Sequence, residues 1–178
     1  MLNWNFSFRV TSYNILANVY SETSVSKETL YPYCPHYALS MDYRKLLILK
    51  ELIGIFLTRL YQCFKLKIKR YKWYCQFSTG YNSDIICLQE VDSSVYENDL
   101  QMSLSILNYS SIYNLKNDLR EGLAIFYNQD RFDQLSCDYK VISQGIHLDE
   151  FNTVWTQIQN SRVKQTFLNR NTIIQVLE

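Results

Sequence analysis

The sequence predicts an α+β fold, and three observations predict it. Apolar or alternating runs of strand length recur at residues 6–13, 84–90, 110–113, 122–127, 132–143 and 171–177. Helical spacing of apolar residues starts at Leu39 or Ser40 and returns at 94–107 and 148–167. The composition is that of an ordinary globular chain, with 47% hydrophobic and 20% charged residues over 178 positions, a length for which one domain is the default.

Each element has a local reason. FSFRVTSY (6–13) alternates as a half-buried strand does and leaves Asn14 at its C-terminal end. Residues 21–27 are polar and read as loop. YPYCP (31–35) reads as a turn, because each proline disfavours helix in the residue before it. Ser40 suits the N-cap of the following helix, with Tyr43, Leu46, Leu47, Lys50, Leu52 and Ile53 spaced along it. DIICLQE (84–90) is an apolar run ending in polar residues, so it reads as a buried strand presenting Gln89 and Glu90. The 94–107 helix has Val95, Leu100, Leu104 and Leu107 on its apolar spacing and an acidic first turn in Glu97 and Asp99, which suits the helix dipole. The last strand, 171–177, runs into the end of the chain, which reads as an incomplete domain.

Net charge is +1, and its distribution is more informative. Between Ile55 and Thr79 lie six basic residues (Arg59, Lys65, Lys67, Lys69, Arg70, Lys72) and no acid, leaving twelve basic against seventeen acidic residues elsewhere. The five cysteines form no CxxC pair, which argues against a disulfide framework or zinc cluster and for a reducing compartment. No apolar run approaches the ~20 residues of a membrane span. MLNWNFSFRV reads as neither a signal peptide nor a transit peptide.

Two polar residues at strand ends, Asn14 and Glu90, are the candidates for chemistry. A hard cation such as Mg²⁺ takes oxygen ligands and needs only one or two protein carboxylates. A strand-end carboxylate beside an amide that can orient a phosphate is suited to that task. The bland alternative is a solvated rim carboxylate and a turn-forming asparagine.

Four blocks in order, RVTSYNILANVY, LYPYCPHYALSMDYRKLLILKEL, GYNSDIICLQEVD and EGLAIFYN with RFDQLS, resemble the deadenylase-like nucleases of the endonuclease/exonuclease/phosphatase superfamily. That branch includes nocturnin, the carbon-catabolite-repressor deadenylases, the angel proteins and the 2′,5′-phosphodiesterases, and LYPYC…YALSMDYRK…KEL is most similar to the last. The resemblance implies a two-layer β-sandwich flanked by helices, of which residues 1–178 would be the N-terminal part, truncated at the C-terminus. It implies that Glu90 is the Mg²⁺-binding glutamate of the LQE motif, and that Asn14, the asparagine of SYN, contacts the phosphate and metal region. Both are therefore expected side by side at one mouth of the sheet, within about 10 Å. Glu121, in EGLA, lies in a matching block and receives no catalytic role; a strand-edge carboxylate and a substrate contact are equal readings of it. Ile86, Leu88, Leu123 and Ile125 are expected on the inner face of one sheet.

The departures matter equally. The family's Asp-x-Asn pair and its Ser-Asp-His do not occur in this sequence. His36 and His147 lack the family's histidine context and are poor candidates for a catalytic base. The family pattern runs KEL, then Thr or Ile, then GYN without a break, whereas here 55–79 intervene after KELIG. One reading is an RNA-binding insertion, with Lys and Arg on phosphates and Tyr and Trp on bases. A second is a translated intron, because Gly54 and Gly80 can share one split codon and joining the flanks restores the family sequence, and a third is a lineage-specific loop.

The implied reaction is Mg²⁺-dependent phosphodiester hydrolysis in 2′,5′-oligoadenylate or poly(A) RNA, by an enzyme of the mitochondrial matrix or cytoplasm. A 3′-poly(A) deadenylase is the alternative within the fold. A non-catalytic RNA- or protein-binding fragment is the alternative from another class.

Overall fold

The computed structural model of the chain describes residues 7–53, 80–116, 120–141 and 173–177. The expected 148–167 helix, His147 and the 55–79 segment lie outside the described residues. Strand β1 (Val10–Asn14) leads into a short helix α1 (Asn18–Ser21) and a π-helical turn, Ser26–Leu30. Helices α2 (His36–Leu39) and α3 (Met41–Ile53) follow, then strand β2 (Ile85–Asp92). Ser93–Val95, Tyr96–Leu100 and Gln101–Ser105 run on as one helix, α4, whose middle segment is π-wound. Strands β3 (Tyr109–Leu115), β4 (Glu121–Asn128), β5 (Cys137–Val141) and β6 (Ile173–Leu177) complete the described elements.

Residues 21–27, expected as loop, are helical at both ends. Polar side chains stabilise the turns: Thr23 Oγ1 donates to the Tyr20 carbonyl and accepts from the Ser26 amide, both at 3.0 Å. Helix α3 starts as expected, with Ser40 Oγ accepting from the Asp42 amide at 3.3 Å. A second cap comes from far along the chain, since Asn18 Oδ1 accepts from the Met41 amide at 3.0 Å.

The main sheet has strand order β1-β2-β4-β3. β1 runs parallel to β2, and β2–β4 and β4–β3 are antiparallel. β5 and β6 form a separate antiparallel pair. One face of the main sheet is covered by α3 and α4. Met41, Ile48, Leu49, Leu52 and Ile53 of α3, at helical spacing, pack with Val95, Tyr96, Leu100 and Leu104 of α4 against Ile86, Leu88, Val91, Ala124 and Phe126. Tyr113 seals this layer: its ring stacks on Tyr96 at 4.4 Å and its hydroxyl donates to the Val91 carbonyl at 2.9 Å.

The expectation that Ile86, Leu88, Leu123 and Ile125 share a face is corrected by the register. Leu88 pairs with Ala124 and Ile86 with Phe126, which places Ile86 and Leu88 under the helices. Leu123 and Ile125 point to the opposite face and are half-buried. That face carries a cleft of about 330 Å³ lined by Ile85, Cys87, Ile125, Tyr127 and the Phe132–Gln134 stretch.

At the far end of the strands Asp84 closes the sheet. Its carboxylate accepts from the Arg9 amide and the Arg131 guanidinium, each at 2.7 Å. Arg131 also donates to the Ser7 carbonyl at 2.7 Å. Among the described residues no helix is long and apolar enough to cross a membrane.

Candidate metal and phosphate site

Asn14 is the last residue of β1 and is exposed. Pairing continues one step further, with the Ile15 amide donating to the Gln89 carbonyl at 3.0 Å. The chain then turns sharply through Leu16, whose φ is +55°. A branched residue in that region is strained. The turn is held from within by Asn14, whose Oδ1 accepts from the Leu16 amide at 2.9 Å.

Glu90 is placed by a bulge in β2. Leu88 pairs with Ala124 and Val91 with Gly122, so Gln89 and Glu90 together stand opposite Leu123 alone. Glu90 is the left-handed residue of this bulge, with φ +54°. The bulge keeps both Leu88 and Val91 on the helix-covered face and turns Glu90 out of the alternation toward the end of β1. Gly122 permits the tight pairing alongside, because a Cβ there would run into the Asn114 carbonyl.

The two bends bring the candidates together: Asn14 Nδ2 donates to Glu90 Oε1 at 2.7 Å. Glu90 Oε2 is buried and has no hydrogen-bond partner among the described residues. A buried carboxylate oxygen with no donor is costly unless a ligand satisfies it. A single hard oxygen, oriented through its sister oxygen by an amide, fits one ligand of Mg²⁺, which keeps several waters of its own. Among the described residues no group of three or more His, Cys, Asp and Glu side chains is arranged to hold a metal. His36 is exposed at the start of α2.

Sequence reading missed the ring of residues behind this pair. Asp92 Oδ2 accepts from the Asn18 amide at 2.9 Å, and burial pushes its carboxyl above the ordinary carboxylate range. Glu121 is only 2% exposed; it accepts from the Tyr20 hydroxyl at 3.0 Å and pairs with Lys116 at 3.2 Å. Tyr20 is pushed up to about 12 by burial, by its bond to Glu121, and by the charges of Glu121 and Glu90. The guanidinium of Arg44 donates to the carbonyls of Ile15, Leu16 and Leu39 and to Ser21 Oγ. Burial lowers the pKa of Arg44, and the charge of Asp92 opposes that shift. EGLA and MDYRK lie within the blocks that carry the resemblance, but spacing alone says nothing about which side chains converge.

No family model matches the chain. It is 40% identical over 128 residues to 2′,5′-phosphodiesterase 12 of Homo sapiens, a match that covers 72% of this chain and 16% of that protein. The CCR4-Not complex 3′-5′-exoribonuclease subunit Ccr4 of Schizosaccharomyces pombe is 30% identical over 138 residues, again covering 72% of this chain and 16% of that protein. The crystal structure of ANGEL2, a 2′,3′-cyclic phosphatase, superposes with a TM-score of 0.54 at 21% identity, over 96% of this chain and 36% of that one. The matches therefore span about a sixth of the length of these two relatives, and the superposition shows a shared fold. Over the matched residues the chain is similar to the 2′,5′-phosphodiesterases and the CCR4-type deadenylases, relatives of the endonuclease/exonuclease/phosphatase superfamily.

Proposed function

We propose that this chain forms the metal- and phosphate-holding corner of a Mg²⁺-dependent phosphodiesterase, a 3′-exoribonuclease acting on 2′,5′-linked oligoadenylate or poly(A) RNA. One observation carries the reading. Glu90 is held in a left-handed bulge with one oxygen on Asn14 and the other buried without a partner among the described residues. Glu90 is the proposed metal ligand. Asn14 sets the carboxylate's rotation, and its amide nitrogen, which carries two N–H donors, has one to spare for a phosphate oxygen. When bound, Mg²⁺ supplies Lewis-acid polarisation of the phosphoryl group.

The relatives' names favour the 2′,5′ linkage without excluding the 3′,5′ one. The sequence holds no Asp-x-Asn and no Ser-Asp-His. A positioned group that stabilises a transition state is typically worth ~10²–10³ in rate. Purified chain with Mg²⁺ and labelled oligoadenylate of either linkage is therefore expected to show no turnover above a Glu90→Ala control. It is expected to bind Mn²⁺ weakly, read by paramagnetic broadening of nearby amides, and the Glu90→Ala variant is expected to lose that broadening. Broadening that survives in the variant would sink the metal assignment. Turnover that depends on Glu90 would show that the missing groups are replaced within this chain. Amide shifts at Asn14 on titration with 2′,5′- or 3′,5′-linked triadenylate separate the two linkages, and a chain that responds to neither is the non-catalytic fragment.

A further inference from the structure

We propose that Arg44 is a positioning residue, which clamps the strained turn after β1 and thereby sets the Asn14 amide that orients Glu90. The proposal rests on the reading of Glu90 as a metal ligand and adds to it the element that holds the site in shape. Four observations carry it.

Arg44 projects from the first turn of α3, distant in sequence from Asn14. Its Nη1 donates to the Ile15 carbonyl at 2.5 Å and its Nη2 to the Leu16 carbonyl at 2.8 Å. These are the carbonyls of the two residues directly after Asn14. Nη2 also reaches Ser21 Oγ at 3.2 Å, and Nε donates to the Leu39 carbonyl at 2.8 Å. The fork therefore joins the Asn14–Leu16 turn, α1 and the end of α2 in one rigid unit.

The clamped turn is one that would not hold its shape by itself. Leu16 has φ +55°, a conformation that leucine rarely takes. Such a residue persists only where its surroundings over-determine it. Asn14 is coupled to this strain directly, because Oδ1 of the side chain accepts from the Leu16 amide while Nδ2 donates to Glu90 Oε1. If the turn relaxed, the Asn14 side chain would lose one of its two anchors, and the Glu90 carboxylate would lose its fixed rotation.

The chemistry requires an arginine. Fixed, forked donors reach several carbonyls at once, whereas a lysine ammonium is a single point of contact on a flexible stem. The groups facing Arg44 are carbonyls and a hydroxyl, with Asp92 as the neighbouring charge partner. Asp92 in turn holds the Asn18 amide. The cluster is therefore built to fix backbone carbonyls rather than to form one ion pair.

The test uses hydrogen exchange of the Asn14 side-chain amide, measured by NMR on the metal-free chain. Arg44→Lys is expected to speed that exchange at least tenfold while the backbone amides of Ile86 and Leu88 keep wild-type protection. Exchange that rises equally at all three would mean that Arg44 only fills the core, and unchanged exchange at Asn14 would mean that it positions nothing; either overturns the proposal. Adding Leu16→Gly to Arg44→Lys is expected to bring Asn14 exchange back to within about threefold of wild type, because glycine takes a positive φ without support. If Arg44→Lys does not fold, the double variant decides: recovery of the fold supports the clamp, and failure to recover overturns it. Mn²⁺ broadening of the Asn14 amide, compared between wild type and Glu90→Gln, reports on the metal reading separately. Loss of that reading leaves the exchange result standing, and the reverse also holds.

Discussion

At the scale of single residues, the molecule separates its tasks between the two ends of one strand pair. The Asp84 end is closed by charge. Its carboxyl is held below its ordinary value of 3.8, first by the hydrogen bond from the Arg9 amide and then by Arg131, against an opposing contribution from burial. The sign follows from linkage: a depressed folded-state pKa contributes stability above the unfolded value and loses it as pH falls through the folded one. The stability difference between wild type and Asp84→Asn is therefore expected to be largest near neutrality. It should shrink as pH drops below about 4. Urea titrations at pH 7 and in the acid range check this, and a gap that does not change with pH would contradict it. The opposite end, at Asn14 and Glu90, is closed by backbone strain and amide chemistry instead, and leaves a carboxylate oxygen over. That Glu90 and Asn14 are the candidates for chemistry was legible in LQE and SYN. That Glu90 is itself left-handed, as is Leu16 two residues after Asn14, was not, because neither leucine nor glutamate is of a type that announces a positive φ.

At the scale of elements, the sheet is two-sided in a way that apolar runs conceal. β2 and β4 are apolar at consecutive positions, so no alternation tells which residues share a face, and a one-residue change of register exchanges the two sets. The structure assigns Leu88, 1% exposed, to the helix-covered core, and Ile125 to the open face. Leu88→Ala is expected to cost about 2–5 kcal/mol, as for a filled core site. Ile125→Ala is expected to cost clearly less, since its side chain already meets solvent. Chemical denaturation of the two variants in parallel checks the assignment, and equal losses would refute it. The helical turns at Asn18–Ser21 and Ser26–Leu30 were illegible for a different reason. Their polar sequence lacks an apolar period, and they are held by side-chain bonds of Thr23 and by Arg44 reaching Ser21 from another element.

At the scale of the whole molecule, the α+β class, the order of the strands of the main sheet along the chain and the likeness to the 2′,5′-phosphodiesterase and CCR4 relatives follow from the sequence. The segment 55–79 interrupts that order. The chain on either side of it is nevertheless joined: the Tyr81 amide donates to the Glu51 carbonyl at 2.8 Å and the Asn82 amide to the Leu52 carbonyl at 3.3 Å. We propose that 55–79 is a removable insertion, the product of a translated intron or a lineage-specific loop. Deleting Ile55–Thr79 is expected to leave the melting temperature unchanged or to raise it, since shortening a loop between ends already in contact lowers its closure entropy. A melting temperature lowered by more than a few degrees, measured by circular dichroism, would show that the segment packs on the rest.

The sequence by itself determined which residues are candidates for chemistry, because a strand end and a motif are local properties, and it determined the fold class, because periodicity is local too. Only the tertiary structure decided how those candidates work. The bulge that turns Glu90 out of the sheet is a mismatch between two strands, and it exists only when β2 and β4 pair. The fork of Arg44 on the Ile15 and Leu16 carbonyls joins groups 28 and 29 residues apart, and the Asn14–Glu90 bond joins groups 76 apart. Contacts at such separations are set by the pairing of β1 with β2 and by packing of the helices on one face of the sheet, and no local pattern encodes them.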